Sequence, residues 1–207
     1  MPTLCYAKKT CSIGIHVLME EIGQPYDLKI VDFSKKEQKE PEYLAINPKR
    51  KVAALVRDDG SVVTEFTSIA MALAYAHPEA NLMPINDAEG MVRTVEAMDF
   101  AIGTIHMLSW RMFRRPDAYS DIPEAIEQLK VRGKDAMMAA FDVVDKDLEG
   151  REWLVGDRFS AADAALYYNE FWAVDVGGWD LPPNVRAHYE RMKQRPSVQA
   201  SRALEEV

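Results

Sequence analysis

The chain has 207 residues, 48% of them apolar and 28% charged, and a formal net charge of −8. That is enough chain for one large domain or two small ones with ample core, and the acidic balance argues against a nucleic-acid binder, which carries a basic footprint. The charge is uneven: residues 1–80 hold 10 Lys/Arg against 11 Asp/Glu, whereas residues 81–207 hold 15 against 22. A near-neutral first half with local lysine clusters leaves room there for an acidic small molecule.

Residues 1–9 have no long apolar core and no cleavage site, so no signal peptide is read. The longest apolar run, 69–76, is far short of a membrane span. Two cysteines six positions apart, Cys5 and Cys11, are neither a disulfide framework nor a metal-ligand spacing. A cytoplasmic location fits a chain with that cysteine usage.

Residues 3–7 alternate like a short strand, and Lys8-Lys9-Thr10 follows as a turn. From Cys11, apolar residues recur at Ile15, Val17, Leu18 and Ile22, which is helical spacing, and Gly23 ends that helix. Residues 26–33 read as a second strand, and 42–46 as a short helix stopped by Pro48. Strands are expected at 52–56 and 61–64, joined at Asp59-Gly60, a dipeptide favoured in type I′ hairpins. Residues 67–76 form a helix that Pro78 closes.

The order over this stretch is thus β-α-β-α-β-β-α. The first two strands, joined through a helix, are expected to run parallel, and the last two to form an antiparallel hairpin. Such a mixed sheet with helices on it is a thioredoxin-like arrangement. Beyond Pro78 the strand signals stop, and helical periodicity occupies 88–114, 124–148, 161–172, 184–194 and 197–206. The expected fold class is α/β followed by all-α, with a thioredoxin-like domain over 1–78 and an all-helical domain over 86–207. Within the helical half, Ser160 with Asp163 three residues on forms a variant capping box, flanked by Phe159 and Ala164 at staple positions.

Cys11 is the sharpest chemical candidate. It follows a turn at a helix start near Lys8 and Lys9, where helix terminus and cations together are expected to lower a thiol's pKa. The other reading is a buried, inert small residue, which is also the reading for Cys5 in mid-strand. His106 lies inside a helix, where a histidine is more often packed or solvated than functional. His16 is expected to pack within the first helix, and His77 and His188 to lie at the surface.

The segment Asn47-Pro48-Lys49-Arg50-Lys51-Val52-Ala53-Ala54-Leu55, then Asp59-Gly60, then Thr64-Glu65-Phe66, resembles the glutathione-binding segment of glutathione S-transferases, N-P-x-G-x-V-P-x-L, a D-G hairpin, then T-E-S. Arg50, Ala53 and Phe66 stand where the family has Gly, Pro and Ser. Residues 154–163 resemble the family's L-x-G-D-x-x-S-x-A-D segment, and 195–200 its closing R-P-x-V-Q, so the resemblance spans the whole chain. Tyr6, a short turn and then Cys11 is similar to the opening of the bacterial beta class.

This resemblance implies roles. Cys11 would lie against the sulfur of glutathione, with Tyr6 beside it and His106 projecting toward the thiol. Lys35 would reach the glycyl carboxylate, and the backbone at Val52 and Ala53 would meet the cysteinyl part. Glu65 would receive the γ-glutamyl ammonium, and the Phe66 N–H, without the serine hydroxyl, would face the γ-glutamyl carboxylate. Asp99 would be a distant polar contact across a homodimer, and Met107, Trp110 and Phe113 would line a wall for a hydrophobic electrophile. The family's proline is preceded by a cis bond; before alanine that form is disfavoured, so Val52–Ala53 is expected to be trans. The implied function is glutathione binding near Cys11 for conjugation or thiol–disulfide exchange, with glutathione as co-substrate and no metal. The alternative is a non-catalytic transferase-fold binding or regulatory protein that has lost glutathione binding, favoured by Arg50, Ala53 and Phe66.

Overall fold

The computed structural model describes residues 1–206. In chain order the main elements are β1 (Thr3–Tyr6), α1 (Ser12–Ile22), β2 (Asp27–Ile30), α2 (Pro41–Ile46), β3 (Ala54–Val56), β4 (Val62–Thr64), α3 (Phe66–Ala76), α4 (Ala88–Asp99), α5 (Arg111–Arg114), α6 (Pro123–Asp147), α7 (Ala161–Phe171), α8 (Pro183–Lys193) and α9 (Pro196–Glu205). They fall into two compact units, Met1–Met91 with Met192–Val207, and Val92–Arg191.

The first unit is built on a four-stranded sheet in the order β2-β1-β3-β4. β1 runs parallel to β2 and antiparallel to β3, placing Cys5 opposite Lys29 on one side and Ala54 on the other. Alternation along β1 decides which faces are covered. Cys5 and Ala7 join Val31, Tyr43, Val52 and Ala54 in one buried cluster. Tyr6 points the other way, meeting the edge of His16 of α1 at 5.6 Å between ring centroids, and α1 in turn packs on α3 and α9. Gly23 terminates α1 in the left-handed region (φ 69) and returns its N–H to the Met19 carbonyl at 3.2 Å. Proline at the first helical position opens α2, α6 and α9.

The β3–β4 connection departs from the expected type I′ turn. Of its loop residues only Gly60 has positive φ (81), and Arg57 and Ser61 still pair across it at 2.8 Å. The loop therefore has three residues, a tight turn followed by a left-handed glycine, with Asp59 Oδ1 accepting from the Ser61 N–H and hydroxyl.

In the second unit, winding loosens after α4: residues Phe100–Trp110 are π-helical before α5 resumes α geometry. The periodicity had implied one uniform helix over 88–114. Gly133 of α6 lets the two segments approach closely, since a Cβ there would lie 2.5 Å from the Phe113 nitrogen. At the start of α7 the expected capping box is present, with Asp163 accepting from the Ser160 N–H at 2.7 Å. Asp163 also accepts from the Leu154 N–H at 2.9 Å. His188, expected at the surface, is instead fully buried between Glu170 (2.8 Å) and Asp163 (3.3 Å). Burial opposes its charge, but the two carboxylates, Glu170 foremost, raise its pKa to about 9. Among the described residues no helix is long and apolar enough to cross a membrane.

Candidate functional site

The first unit gathers several of the expected residues around one thiol. Cys11 caps the N-terminus of α1 and is partly buried. Its Sγ faces the Val52 carbonyl at 3.6 Å. The loop carrying Val52 is tied down from behind, because the Lys51 carbonyl accepts from the Tyr43 hydroxyl at 2.5 Å and from Asn47 Nδ2 at 2.8 Å. Val52–Ala53 is cis, which corrects the expectation of a trans bond; that expectation weighed an isolated peptide bond, whereas here both flanks are held by the fold.

The thiol differs from expectation too. Burial dominates and pushes the Cys11 pKa up to about 11; nearby Glu65 adds to the rise, while backbone N–H groups and Lys51 only partly oppose it. Of the two lysines expected to stabilise a thiolate, Lys8 has its ammonium on Glu206 at 2.5 Å, and Lys9 takes the left-handed region with its backbone N–H donating to Glu205 at 2.8 Å. At neutral pH Cys11 is therefore a protonated thiol, a hydrogen-bond donor rather than a thiolate.

Glu65 is the N-cap of α3 and has φ 72, ψ 136. Such a backbone conformation is essentially confined to glycine, and costs a glutamate roughly 1–3 kcal/mol. Its carboxylate is half-exposed and takes the Lys49 ammonium at 2.8 Å, which also reaches Thr64 Oγ1 at 2.8 Å. Phe66, the first residue of α3, is buried with 7% exposure, so its ring is packed into the protein instead of standing in solvent. Lys35 sits on an exposed loop, 3.5 Å from Asp32.

Arg50 also occupies the left-handed region (φ 60), with its N–H on the Asn47 carbonyl at 3.0 Å. A non-glycine residue pays about 1–2 kcal/mol there, against about 0.5–1 kcal/mol of extra chain entropy for glycine. Arg50→Gly is thus expected to stabilise the protein by about 0.5–1 kcal/mol in urea denaturation; a loss of stability would show that the arginine side chain contributes more than its backbone costs.

Family models for the glutathione S-transferase N-terminal domain and C-terminal domain match residues 10–75 and 116–191. A glutathione transferase structure from Methylococcus capsulatus str. Bath is 33% identical, with a TM-score of 0.85, covering 100% of this chain and 99% of that one. The chain belongs to the glutathione S-transferase family. Glutathione S-transferase GstA of Escherichia coli O157:H7 is 29% identical over 204 residues, 98% of each chain. A glutathione transferase homologue from Sulfitobacter, solved with bound glutathione, superposes with a TM-score of 0.90 at 29% identity, covering 100% of this chain and 99% of that one.

Five further expected site residues of this glutathione S-transferase family member lie in the second unit. His106, in the π-helical segment, is partly buried; its Nδ1 is 3.3 Å from the Tyr168 hydroxyl and its ring meets the edge of Trp172 at 4.7 Å. Trp110 is buried and stacks on Trp172 at 5.2 Å and 9°. Phe113 packs against Trp110 and Trp179. Met107 is partly buried, and Asp99 is exposed at the end of α4.

Two features near the thiol escaped sequence reasoning. Tyr6 is fully buried, and its hydroxyl donates to the Glu205 carboxylate. Lys49 occupies Glu65. The partners are 199 and 16 positions apart, beyond the reach of any local pattern. A glutamate in the last turn of an otherwise amphipathic helix was the one available signal.

Proposed function

We propose that this chain is a glutathione-binding transferase whose first unit seats the sulfur of the tripeptide against Cys11. The observation that carries the reading is Glu65: a glutamate held in a glycine-like conformation at a helix start, close enough to Cys11 to raise its pKa. Strain of this kind persists where surrounding structure enforces it, and it clusters at ligand sites. The glutathione-bound relative supports the same ligand.

In this reading the backbone edge at Val52 and Ala53 receives the cysteinyl part. Glu65 and the start of α3 at Phe66 receive the γ-glutamyl end, and Lys35 the glycyl carboxylate. Because Cys11 keeps its proton, it donates a hydrogen bond to the thiolate of glutathione, and that thiolate is the nucleophile. Attack on an electrophilic carbon forms a C–S bond while the leaving group departs with its electron pair. Attack on a disulfide forms a new S–S bond and expels the second sulfur as thiolate, which takes a proton from water. Tyr6 supports the turn from beneath. His106, Met107, Trp110 and Phe113 serve the hydrophobic acceptor, and Asp99 acts from a homodimer partner. Along the chain the domains are 1–78 and 86–207, the last helix α9 packing back onto α1 as part of the first compact unit, and the protein works in the cytoplasm.

Cys11→Ala tests the role of the thiol. Losing one hydrogen bond to a charged sulfur costs about 1.5–3 kcal/mol, or roughly 10- to 100-fold in kcat/KM with an aryl halide or a small disulfide. Unchanged turnover in the variant would remove Cys11 from the mechanism. A second reading, a transferase-fold binding protein without turnover, is favoured by Lys49, which already satisfies Glu65 at 2.8 Å. It predicts no glutathione-dependent turnover by the wild type with either substrate.

A further inference from the structure

We propose that Glu205, in the last turn of α9, is a positioning residue that sets the reactivity of Cys11. The proposal rests on the reading of Cys11 as the thiol at the ligand site, and its grounds are the contacts of a buried carboxylate. Glu205 has 3% exposure, and acids are rarely buried this deeply unless their oxygens are satisfied. One oxygen accepts the Tyr6 hydroxyl and the other accepts the Lys9 backbone N–H at 2.8 Å. Tyr6 is the last residue of β1 and Lys9, in the left-handed region (φ 58), belongs to the turn that leads to Cys11. One side chain therefore spans the strand end and the turn.

The neighbouring contacts complete a clamp. Glu206 holds Lys8 Nζ at 2.5 Å. From the other side, Thr10 Oγ1 and Ser12 Oγ donate to the Ala7 carbonyl at 2.8 and 3.0 Å, and the Ala7 N–H donates to Ser12 Oγ at 3.1 Å. With the turn fixed at both ends, the sulfur of the partly buried Cys11 is kept 3.6 Å from the Val52 carbonyl. If packing alone mattered at this position of α9, an apolar side chain would fill it without the cost of burying a charge. What the carboxylate adds is two acceptors aimed at two specific donors. Glu205 acts on the thiol through the turn, by shape.

Alkylation of Cys11 by iodoacetamide as a function of pH, located by peptide mass, reads this directly and requires no glutathione. In Glu205→Ala the turn loosens and opens the sulfur further to water, so the rate at pH 8 is expected to rise about tenfold or more and the midpoint to fall toward the ordinary thiol range of about 8.5. Glu205→Gln can still accept the Lys9 N–H and donate to the Tyr6 oxygen, so it is expected to stay within about twofold of wild type. A Glu205→Ala protein that melts earlier but keeps the wild-type pH profile overturns the proposal, leaving Glu205 a purely structural residue. A Glu205→Gln protein that behaves like Glu205→Ala also overturns it, because charge and not position would then be acting. Should Glu205→Ala fail to fold, Tyr6→Phe removes one donor only: an intermediate rate supports the proposal and an unchanged profile overturns it. Failure of glutathione to bind would defeat the functional reading while leaving this result intact.

Discussion

Replacing His188 by alanine is expected to remove about 3–5 kcal/mol of folding stability, the range seen when one partner of a buried ion pair is deleted. The side chain is wholly enclosed, with Nδ1 2.8 Å from Glu170 and Nε2 3.3 Å from Asp163. Without it two buried carboxylates face each other, and Glu170 Oε2 already has no hydrogen-bond partner among the described residues. Burial itself holds the Glu170 pKa above the usual carboxylate range, with His188 opposing.

The pH dependence has a definite sign. The folded-state pKa of His188 is raised to about 9 from an ordinary 6.5, so its contribution is fully present below about pH 6.5 and is lost as pH rises through about 9. A rise of that size corresponds to about 3 kcal/mol. Chemical denaturation at pH 6, 8 and 10 should show wild-type stability falling as pH rises, whereas His188→Ala should lose that dependence between pH 8 and 10 and regain stability only in acid, where one carboxylate takes a proton. A variant as stable as wild type at pH 6 would mean that the cation contributes nothing there.

Gly133→Ala is expected to cost about 2–3 kcal/mol, as overpacking against rigid neighbours does. Helix propensity argues the opposite, favouring alanine by about 1 kcal/mol in a helix interior, so the sign decides between local preference and tertiary fit. The new Cβ would lie 2.5 Å from the Phe113 nitrogen, 2.9 Å from the Ser109 carbonyl oxygen and 3.0 Å from the Phe113 Cα, all backbone atoms. No rotamer change relieves that contact. Gly103 is the control: a Cβ there meets nothing within 4 Å, and Gly103→Ala should be neutral or mildly stabilising. Urea titrations of both variants separate the effects; a stabilised Gly133→Ala protein would contradict the close packing of α6 on the segment before it.

What could be read from the sequence was local. Gly23 ending α1, Pro78 closing α3 and the Ser160–Asp163 box each depend on residues within a turn of one another, and each stands in the structure. The parallel first strand pair followed from a connection rule. The thiol environment was not readable, because it is set by residues far away in sequence: Glu205 holds the Lys9 backbone N–H, Glu206 takes the Lys8 ammonium, and burial then outweighs the helix terminus. The same holds for His188, whose partners on α7 lie 18 and 25 positions away. Phe66, standing where the family has serine, favoured the reading without glutathione; the structure buries its ring, so the missing serine costs a hydroxyl without leaving an exposed ring in its place. The π-helical winding over Phe100–Trp110 had no signal in the apolar spacing, since the buried positions satisfy either helix about equally well.

The central claim is that the first unit binds glutathione at Cys11, and calorimetric titration of glutathione into the folded wild-type protein tests it most directly. Saturable binding in the micromolar to low-millimolar range, one molecule per chain, is the predicted result. No heat of binding up to about 10 mM, where a site weaker than about −2.7 kcal/mol would begin to escape detection, would contradict it and leave a transferase fold kept for another purpose.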